Sequence, residues 1–290
     1  TDHIDDNQMN DIFQSAYKPH HSTETALVKV HNDILNALDK KKSVLFLALD
    51  LSAAFDTVDH NILLSRLEKS IGLQGTCLSW FRSYLSNRNQ KVSIKGVLSE
   101  SKSLSCGVPQ GSVLGPKLFT IYVMPLGEII RKHNVQYHAY ADDTSLYLTF
   151  NDDDMSSSIE NLESLMTEID IWMSMNMLKL NNDKTELVLF RSKFRQSILP
   201  PSISVANECT NSGKSVRLLG VEMEDSMSLD AHIKNTSKIC FFLLHNIYKI
   251  RKCITEDSAK IIVHGIITSR LDYCNALYAG LPQCHLAGLE

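Results

Sequence analysis

Long apolar runs are missing from this chain of 290 residues. The longest, around Val44–Leu51, is strand-sized, far short of the roughly 18 residues that a membrane-spanning helix needs, so no membrane partner is expected. Glycine and proline are scarce, at 12 and 7, which excludes a collagen and a disordered tail. No CxxC pair occurs among the seven cysteines (Cys77, Cys106, Cys209, Cys240, Cys253, Cys274, Cys284). Their odd number and uneven spacing argue against a disulfide framework and a zinc ribbon. A reducing, intracellular setting, nuclear or cytoplasmic, is the expectation. Cys284-His285 beside Cys274 offers ligand types, but adjacent residues chelate one ion poorly and buried packing is the commoner use of free Cys. A dominant charge sign is missing too: 29 basic residues face 33 acidic ones, for a net charge of −4. That balance neither advertises nor excludes nucleic-acid binding, because the local distribution matters more than the total.

What is present is ordinary globular material, 43% apolar, enough for one large or two ordinary domains. The polar, acidic opening TDHIDDNQMN reads as neither a signal nor a transit peptide. With no initiating Met and an uncapped HLAGLE at the end, a fragment of a longer chain is expected. Ser22, with Glu24 in the next turn, reads as a helix start; Leu27, Val30, Ile34 and Leu38 keep helical spacing until Lys40-Lys41-Lys42. SVLFLALDL (43–51) reads as a strand buried on both faces. Helices over 60–71 and 76–87 and a hairpin ahead of Cys106 follow, then a helical stretch over 116–133 that Pro125 should break. VQYHAYA and TSLYLTF alternate with period two around Asp142-Asp143, a hairpin with two acids in its turn. A helix over 155–176, strands over 185–190 and 216–223, and helices over 228–252 and 256–270 complete an α+β pattern.

Asp50 is the first residue with chemistry to explain. Inside an apolar strand an isolated carboxylate costs several kcal/mol unless it is paired or ligates a cation; a salt bridge or a strand end reaching water explains it equally well. A lone Asp in a turn is common, but Asp142 and Asp143 are adjacent like charges flanked by well-made strands, and a cation holds such a pair together most easily. If strand 43–51 pairs with the 135–149 hairpin, Asp50 and Asp142 converge at one sheet edge. Carboxylates on rigid strands suit Mg²⁺, and two such ions ~4 Å apart would activate an attacking hydroxyl and steady a departing pyrophosphate.

FLALDLSAAFDTVDH, CGVPQGSVLGPKLF and YADDT, in that order, resemble the three core motifs of reverse transcriptases. QSAYKPHHSTETAL near the start and SRLDYCNALYAGLP near the end make the chain similar in particular to LINE-type (non-LTR) retrotransposon polymerases, from about Phe13 to Leu281. The resemblance implies a right-hand polymerase palm, an antiparallel sheet with packed helices, with partial fingers and a partial helical thumb. Residues 1–42 would be the remnant of the fingers. The palm would be 43–225, with an inserted finger segment at about 71–105 and a primer-grip hairpin at about 214–225, and the partial thumb 226–290.

It further implies that Asp50 and Asp142 hold two Mg²⁺ ions, with Mn²⁺ as a substitute, and that the Leu51 carbonyl contributes while Asp143 belongs to the same site. Phe55, beside Ala54, matches the steric gate beneath the incoming sugar; a core Phe is its plain alternative. Gln110 and Gly111 match the pair lining the nucleotide and template pocket, Gly allowing close approach to a base, though a plain PQG turn fits as well. LKLNNDKTELVLF places Lys184 where a lysine protonates the leaving pyrophosphate; a solvated surface Lys is the cheaper explanation. VRLLGVEM resembles the hairpin that grips the primer end, with Leu219 and Gly220 at its turn, and Tyr140 and Ala141 stand beside the primer terminus.

Between His232 and Ile254 lie Lys234, Lys238, Lys249, Arg251 and Lys252 and no acid. Ile239, Leu243, Ile247, Ile250 and Ile254 form an apolar stripe there, so the helix can pack by one face and track phosphates with another, as a thumb does; a solvated face is the plain alternative. The acids of 152–154 and Glu160, Glu163, Glu168 and Asp170 should face away from nucleic acid. Lys18 stands in AYKPHHST where relatives often carry Arg, a point charge in place of a bidentate fork. An upstream Arg-containing finger segment and an endonuclease-like segment are not seen, and the thumb stops early.

The expected activity is RNA-directed DNA polymerisation, with an RNA template, a DNA primer and dNTPs as partners and no oligomeric state implied. The alternatives are a truncated or decayed remnant that binds nucleic acid without catalysis, an RNA-templated RNA polymerase, and a simple metal-binding protein.

Overall fold

The computed structural model describes residues 2–7, 9–192, 201–205, 208–286 and 288–289. A short helix α1 (Asp2–Asp6) leads to α2 (Thr23–Asp39). Ser22 does cap α2, but its reciprocal partner is Thr25: the Ser22 oxygen accepts from the Thr25 N–H at 3.2 Å, and the Ser22 N–H donates to the Thr25 hydroxyl at 2.8 Å. Glu24 is used elsewhere, accepting from the Ala276 N–H at 3.0 Å and so tying the helix start to the C-terminal region. The helix ends at Asp39, before the three lysines, and the chain turns away through Lys41 in the left-handed region, φ 58°. Backbone geometry, not lysine charge in the last turn, stops this helix.

β1 (Ser43–Leu49) leads through α3 (His60–Lys69) and α4 (Gly75–Leu85) to a hairpin built from β2 (Arg88–Gln90), β3 (Ser93–Ile94), β4 (Val97–Leu98) and β5 (Lys102–Leu104). α5 (Gly115–Val123) and α6 (Leu126–Lys132) are one apolar stretch divided at Pro125, as its missing N–H requires. β6 (Gln136–Tyr140) and β7 (Asp143–Phe150) form the expected hairpin, and α7 (Met155–Met175) and β8 (Glu186–Phe190) follow. β9 (Ser202–Val205), β10 (Glu208–Gly213), the hairpin β11 (Ser215–Leu218) and β12 (Val221–Glu224), and the helices α8 (Asp230–Ile250), α9 (Glu256–Val263), α10 (Ser269–Leu271) and α11 (Gln283–Leu286) come next.

The main sheet has the order β6-β7-β1-β8-β10-β9. β1 is its spine, antiparallel to β7 on one side and to β8 on the other. Among its named strands the β8–β10 pair departs from the antiparallel pattern, being parallel over Ser212↔Leu187 and Gly213↔Val188. Neither β9 nor β10 is foreseen in the sequence, because ECTNSG is poor in the branched and aromatic residues that mark strands.

The two-sided burial expected of β1 is realised. Leu45, Leu47 and Leu49 enter a core shared with α3, α5 and α7, while Val44 and Phe46 enter a second core with α2, β11, β12 and the start of α8. Of the segment before β1, α2 covers the second face of the same sheet and Phe13–Ser15 is hydrogen-bonded to β6. The apolar stripe of α8 is rotated from its expected position. Ile233, Thr236, Cys240 and Ile247 are buried, whereas Ile239 is half-buried and Ile250 exposed. The five basic residues between His232 and Ile254 are all exposed. The acidic α7 is partly spent on local structure, Glu168 pairing with Lys132 and His133 and Glu163 accepting from the Ser204 N–H.

Candidate active site

β1 ends where the β6–β7 hairpin turns. The register Leu49↔Thr144 carried one step further sets Asp50 across from Asp143, with Asp142 next in the turn. The convergence expected of these acids is therefore built by strand pairing between segments almost a hundred residues apart. Burial pushes the Asp143 carboxyl up to about 6, the charges of Asp142 and then Asp50 push the same way, and Lys184 opposes them. Asp50 is itself engaged. Its Oδ2 accepts from the Asn181 side-chain amide at 3.0 Å and lies 3.4 Å from the Lys184 ammonium. Its carbonyl accepts from the Asn181 N–H, Ser52 N–H donates to the Lys179 carbonyl, and Leu51 bridges Leu180. The LKLNNDK segment is thus stitched along Asp50–Ser52, and the salt-bridge explanation of Asp50 is realised together with the acidic cluster.

Among the described residues no three His, Cys, Asp or Glu side chains stand close enough to chelate an ion as they are. The three carboxylates therefore stand near one another as excess negative charge, with Asp50 engaged by Asn181 and Lys184, and form no finished cage. That donor chemistry, hard oxygens in electrostatic excess, suits a divalent cation.

Asp50, Asp143, Lys184, Arg217 and Leu219 line one open cleft, which brings the β11–β12 turn to the acids. Leu219 and Gly220, at φ 46° and 83°, form that turn, and the Tyr273 hydroxyl donates to the Leu219 carbonyl at 2.7 Å. Tyr140 shares a small adjoining hollow with Asp143, Leu218 and Leu219. Ala141, buried, forms the β6–β7 turn at φ 58°.

Ala54, Phe55, Gln110 and Gly111 form a second group that does not line this cleft. Phe55 is half-buried, its ring 4.7 Å from that of Phe119, and its carbonyl accepts from the Val108 N–H at 2.9 Å. Ala54 is buried beside it. Gln110 is exposed and donates to the Asp56 carboxylate at 2.9 Å; Gly111 is exposed at φ 75°. Lys18 donates to the Asp11 carbonyl, which directs its charge along its own segment.

Three residues that hold this architecture are missed when the sequence is read alone: Asn181, Tyr273 and Gly107. Gly107 sits at φ 85° with a would-be Cβ 2.9 Å from the Asp56 carbonyl, and its own carbonyl accepts from His60 at 2.9 Å and Arg88 at 3.0 Å. It pins the PQG loop to the turn after Phe55. Gly107→Ala should cost about 2–3 kcal/mol, since both the backbone sign and the close approach oppose a side chain. Urea unfolding reads that loss as a lower midpoint at unchanged slope; an unchanged midpoint would refute the pinning.

His138, on β6 behind the acids, is buried, and its Nε2 is 2.8 Å from the Ser15 hydroxyl. Burial first, then the nearby Lys29, bring its imidazole down to about 4 from an ordinary 6.5, against the opposing pull of Asp33. The unfolded chain therefore takes up this proton before the folded one. The contribution of His138 is full above about pH 6.5 and falls by up to about 3 kcal/mol as pH falls towards 4, while protonation of Asp143, pushed up to about 6, favours the fold over the same range. The difference in unfolding free energy between wild type and His138→Gln, taken at pH 7 and at pH 4.5, isolates the His138 share; a difference that does not change with pH refutes it.

An antiparallel spine with a carboxylate at the end of its central strand, two more in the neighbouring hairpin turn and a second hairpin closing the cleft is the palm of a right-hand nucleic-acid polymerase. The family model for the reverse transcriptase (RNA-dependent DNA polymerase) matches residues 2–223. The chain belongs to the reverse transcriptase family, and its relatives bear out the LINE-type resemblance. It is 26% identical over 249 residues to a probable RNA-directed DNA polymerase from transposon BS of Drosophila melanogaster, covering 81% of this chain and 27% of that protein. It is 27% identical over 229 residues to the RNA-directed DNA polymerase from the mobile element jockey of the same fly, covering 77% of this chain and 24% of that protein. The chain thus spans about a quarter of the length of these curated relatives. Among solved structures, Candida tropicalis telomerase in complex with a TWJ fragment of telomeric RNA matches with a TM-score of 0.49 and 11% identity, over 95% of this chain and 45% of that one. No helix among the described residues is long and apolar enough to cross a membrane.

Proposed function

We propose that this chain is the polymerase part of a LINE-type retrotransposon protein, and that it adds dNTPs to the 3′-hydroxyl of a DNA primer under the direction of an RNA template. The observation that carries this reading is the strand register that sets Asp50 across from Asp143 with Asp142 next in the turn; burial first, and then the charges of Asp142 and Asp50, push the Asp143 carboxyl upward there. Carboxylates held that close are costly in the free protein and become an asset when divalent cations bind. Asp50 and Asp142, with the Leu51 carbonyl, are the residues to hold two Mg²⁺ ions, or Mn²⁺ in their place, with Asp143 adding charge. Such ions, when bound, neutralise phosphate charge and acidify the attacking hydroxyl.

The other roles belong to the chain's own residues. Tyr140, Ala141, Leu219 and Gly220 hold the primer end over the acids. Gln110 and Gly111 line the nucleotide and template pocket, and Phe55 lies beneath the incoming sugar. The primer 3′-hydroxyl gives up its proton to solvent, its oxygen bonds to the α-phosphorus, the bond from that phosphorus to the bridging oxygen breaks, and pyrophosphate leaves with a proton from Lys184, which solvent then restores. The seven free cysteines fit an intracellular, reducing setting, nuclear or cytoplasmic.

Primer extension on an RNA template with an annealed DNA primer tests the reading. Incorporation of dNTPs that EDTA abolishes is the expected result. Hybrid binding without extension would identify a non-catalytic remnant, preference for rNTPs an RNA polymerase, and Mg²⁺ binding without nucleic-acid affinity a plain metal-binding protein.

A further inference from the structure

We propose that Gln14 is a positioning residue for the turn that carries Asp142 and Asp143. Tyr140 pairs with Asp143, so Ala141 and Asp142 are the two residues of a tight turn, and Ala141 occupies a left-handed conformation that favours glycine. In an ordinary hairpin the peptide groups of such a turn face water. Here they face Gln14, which is 7% exposed, and Ala141 is itself buried. The Gln14 Oε1 accepts from the Ala141 N–H at 3.1 Å, and its Nε2 donates to the Ala141 carbonyl at 3.3 Å. One primary amide thus takes both backbone groups of the one residue that must be left-handed, as a peptide group in a neighbouring strand would.

The clamp is mounted on a rigid support. Oε1 also accepts from the Ala16 N–H at 2.8 Å, which fixes the side chain against its own backbone. The Ser15 N–H donates to the Ala139 carbonyl and the Ala139 N–H to the Phe13 carbonyl, both at 2.9 Å, so the segment bearing Gln14 is a short parallel extension of the sheet at β6. The Ser15 hydroxyl meets His138 one residue further along. The segment that bears Gln14 is thus bonded to the hairpin on both sides of it, and the two carboxylates are the next residues after the one Gln14 grips. A displacement of the turn of the order of 1 Å moves both acids with it, and misplacement on that scale costs a catalytic constellation about 10²-fold. Gln is the side chain for this position because it supplies an acceptor and a donor together; Glu keeps the acceptor only, and Met keeps the shape with neither.

The inference rests on the polymerase reading for its activity arm but carries a second arm that does not. Gln14→Met should lower kcat for primer extension about 10²-fold and raise the Mg²⁺ concentration for half-maximal rate, with the Kd for the primer–template hybrid within about 2-fold of wild type. Gln14→Glu should fall between Met and wild type, and it also serves if the Met variant folds poorly. In the same proteins, amide hydrogen exchange should quicken at Ala141–Asp143 while Leu45, Leu47 and Leu146 stay protected. A role confined to general stability would instead lower protection throughout and leave kcat of the folded fraction unchanged. Wild-type kcat in Gln14→Met, or unaltered exchange at Ala141, would overturn the proposal. A wild-type protein that never extends a primer sinks the polymerase reading alone, since the exchange arm still decides what Gln14 holds.

Discussion

Asp142→Asn is expected to abolish primer extension, by on the order of 10³-fold or more, while the metal-free protein unfolds no earlier than wild type. The two halves come from one fact. Burial first and then the charge of Asp142 push the Asp143 carboxyl up to about 6, so removing that charge relieves repulsion in the free protein. Asn keeps the volume of Asp and leaves the turn, held through Ala141, undisturbed. What disappears is the carboxylate charge that the proposed reading assigns to a cation. Thermal unfolding in EDTA and in Mg²⁺ separates the terms. Wild type should gain stability with Mg²⁺ by mass action, and the variant should start level or higher and gain less. Extension within about tenfold of wild type would remove Asp142 from the site. A melting temperature several degrees lower in EDTA would mean that the carboxylate is held by native bonds rather than crowded by its neighbours.

The contrast between Asp50 and Gln14 shows what the sequence exposes and what it conceals. Asp50 stands out because a charge at the end of SVLFLALDL contradicts its surroundings, and Asp142-Asp143 because two acids interrupt a clean alternation. Burial and periodicity are local signals, and they locate β1, the β6–β7 hairpin, α2 and the break at Pro125 within a few residues. Gln14, Asn181 and Tyr273 contradict nothing nearby. Each works through bonds to backbone or carboxylate more than fifty residues away, to Ala141, Asp50 and Leu219 respectively. Polar residues in polar segments carry no mark of such partners. The same limit explains β10, whose strand state comes from pairing with β8 and β9, and the rotated face of α8. In α8 several apolar residues compete for burial, and the tertiary contact selects Ile233, Cys240 and Ile247 while leaving Phe241, Phe242 and Tyr248 exposed.

Phe55→Val should erode discrimination against ribonucleotides by about 10²-fold while leaving dNTP incorporation within severalfold of wild type. The argument turns on how the ring is held. Its ring lies tilted by 31° against that of Phe119, a fully buried residue of α5, and its carbonyl is fixed by Val108, so the ring has little room to yield. A 2′-hydroxyl arriving above it would have to move Phe119 and the core behind it. That stiffness is what a gate needs, since rejection by a soft neighbour is worth little and rejection by an unyielding one is limited only by packing. Valine is β-branched and holds its own rotamer, but it lacks the ring that reaches the sugar. Because Phe55 is half-buried, the change should cost about 1–2 kcal/mol of stability, less than a fully buried Phe would. Competing dGTP and GTP in single-nucleotide extension measures the ratio directly. If discrimination is unchanged and only the unfolding midpoint falls, Phe55 is a core residue that happens to follow Asp50, and the ribose must be read by other residues.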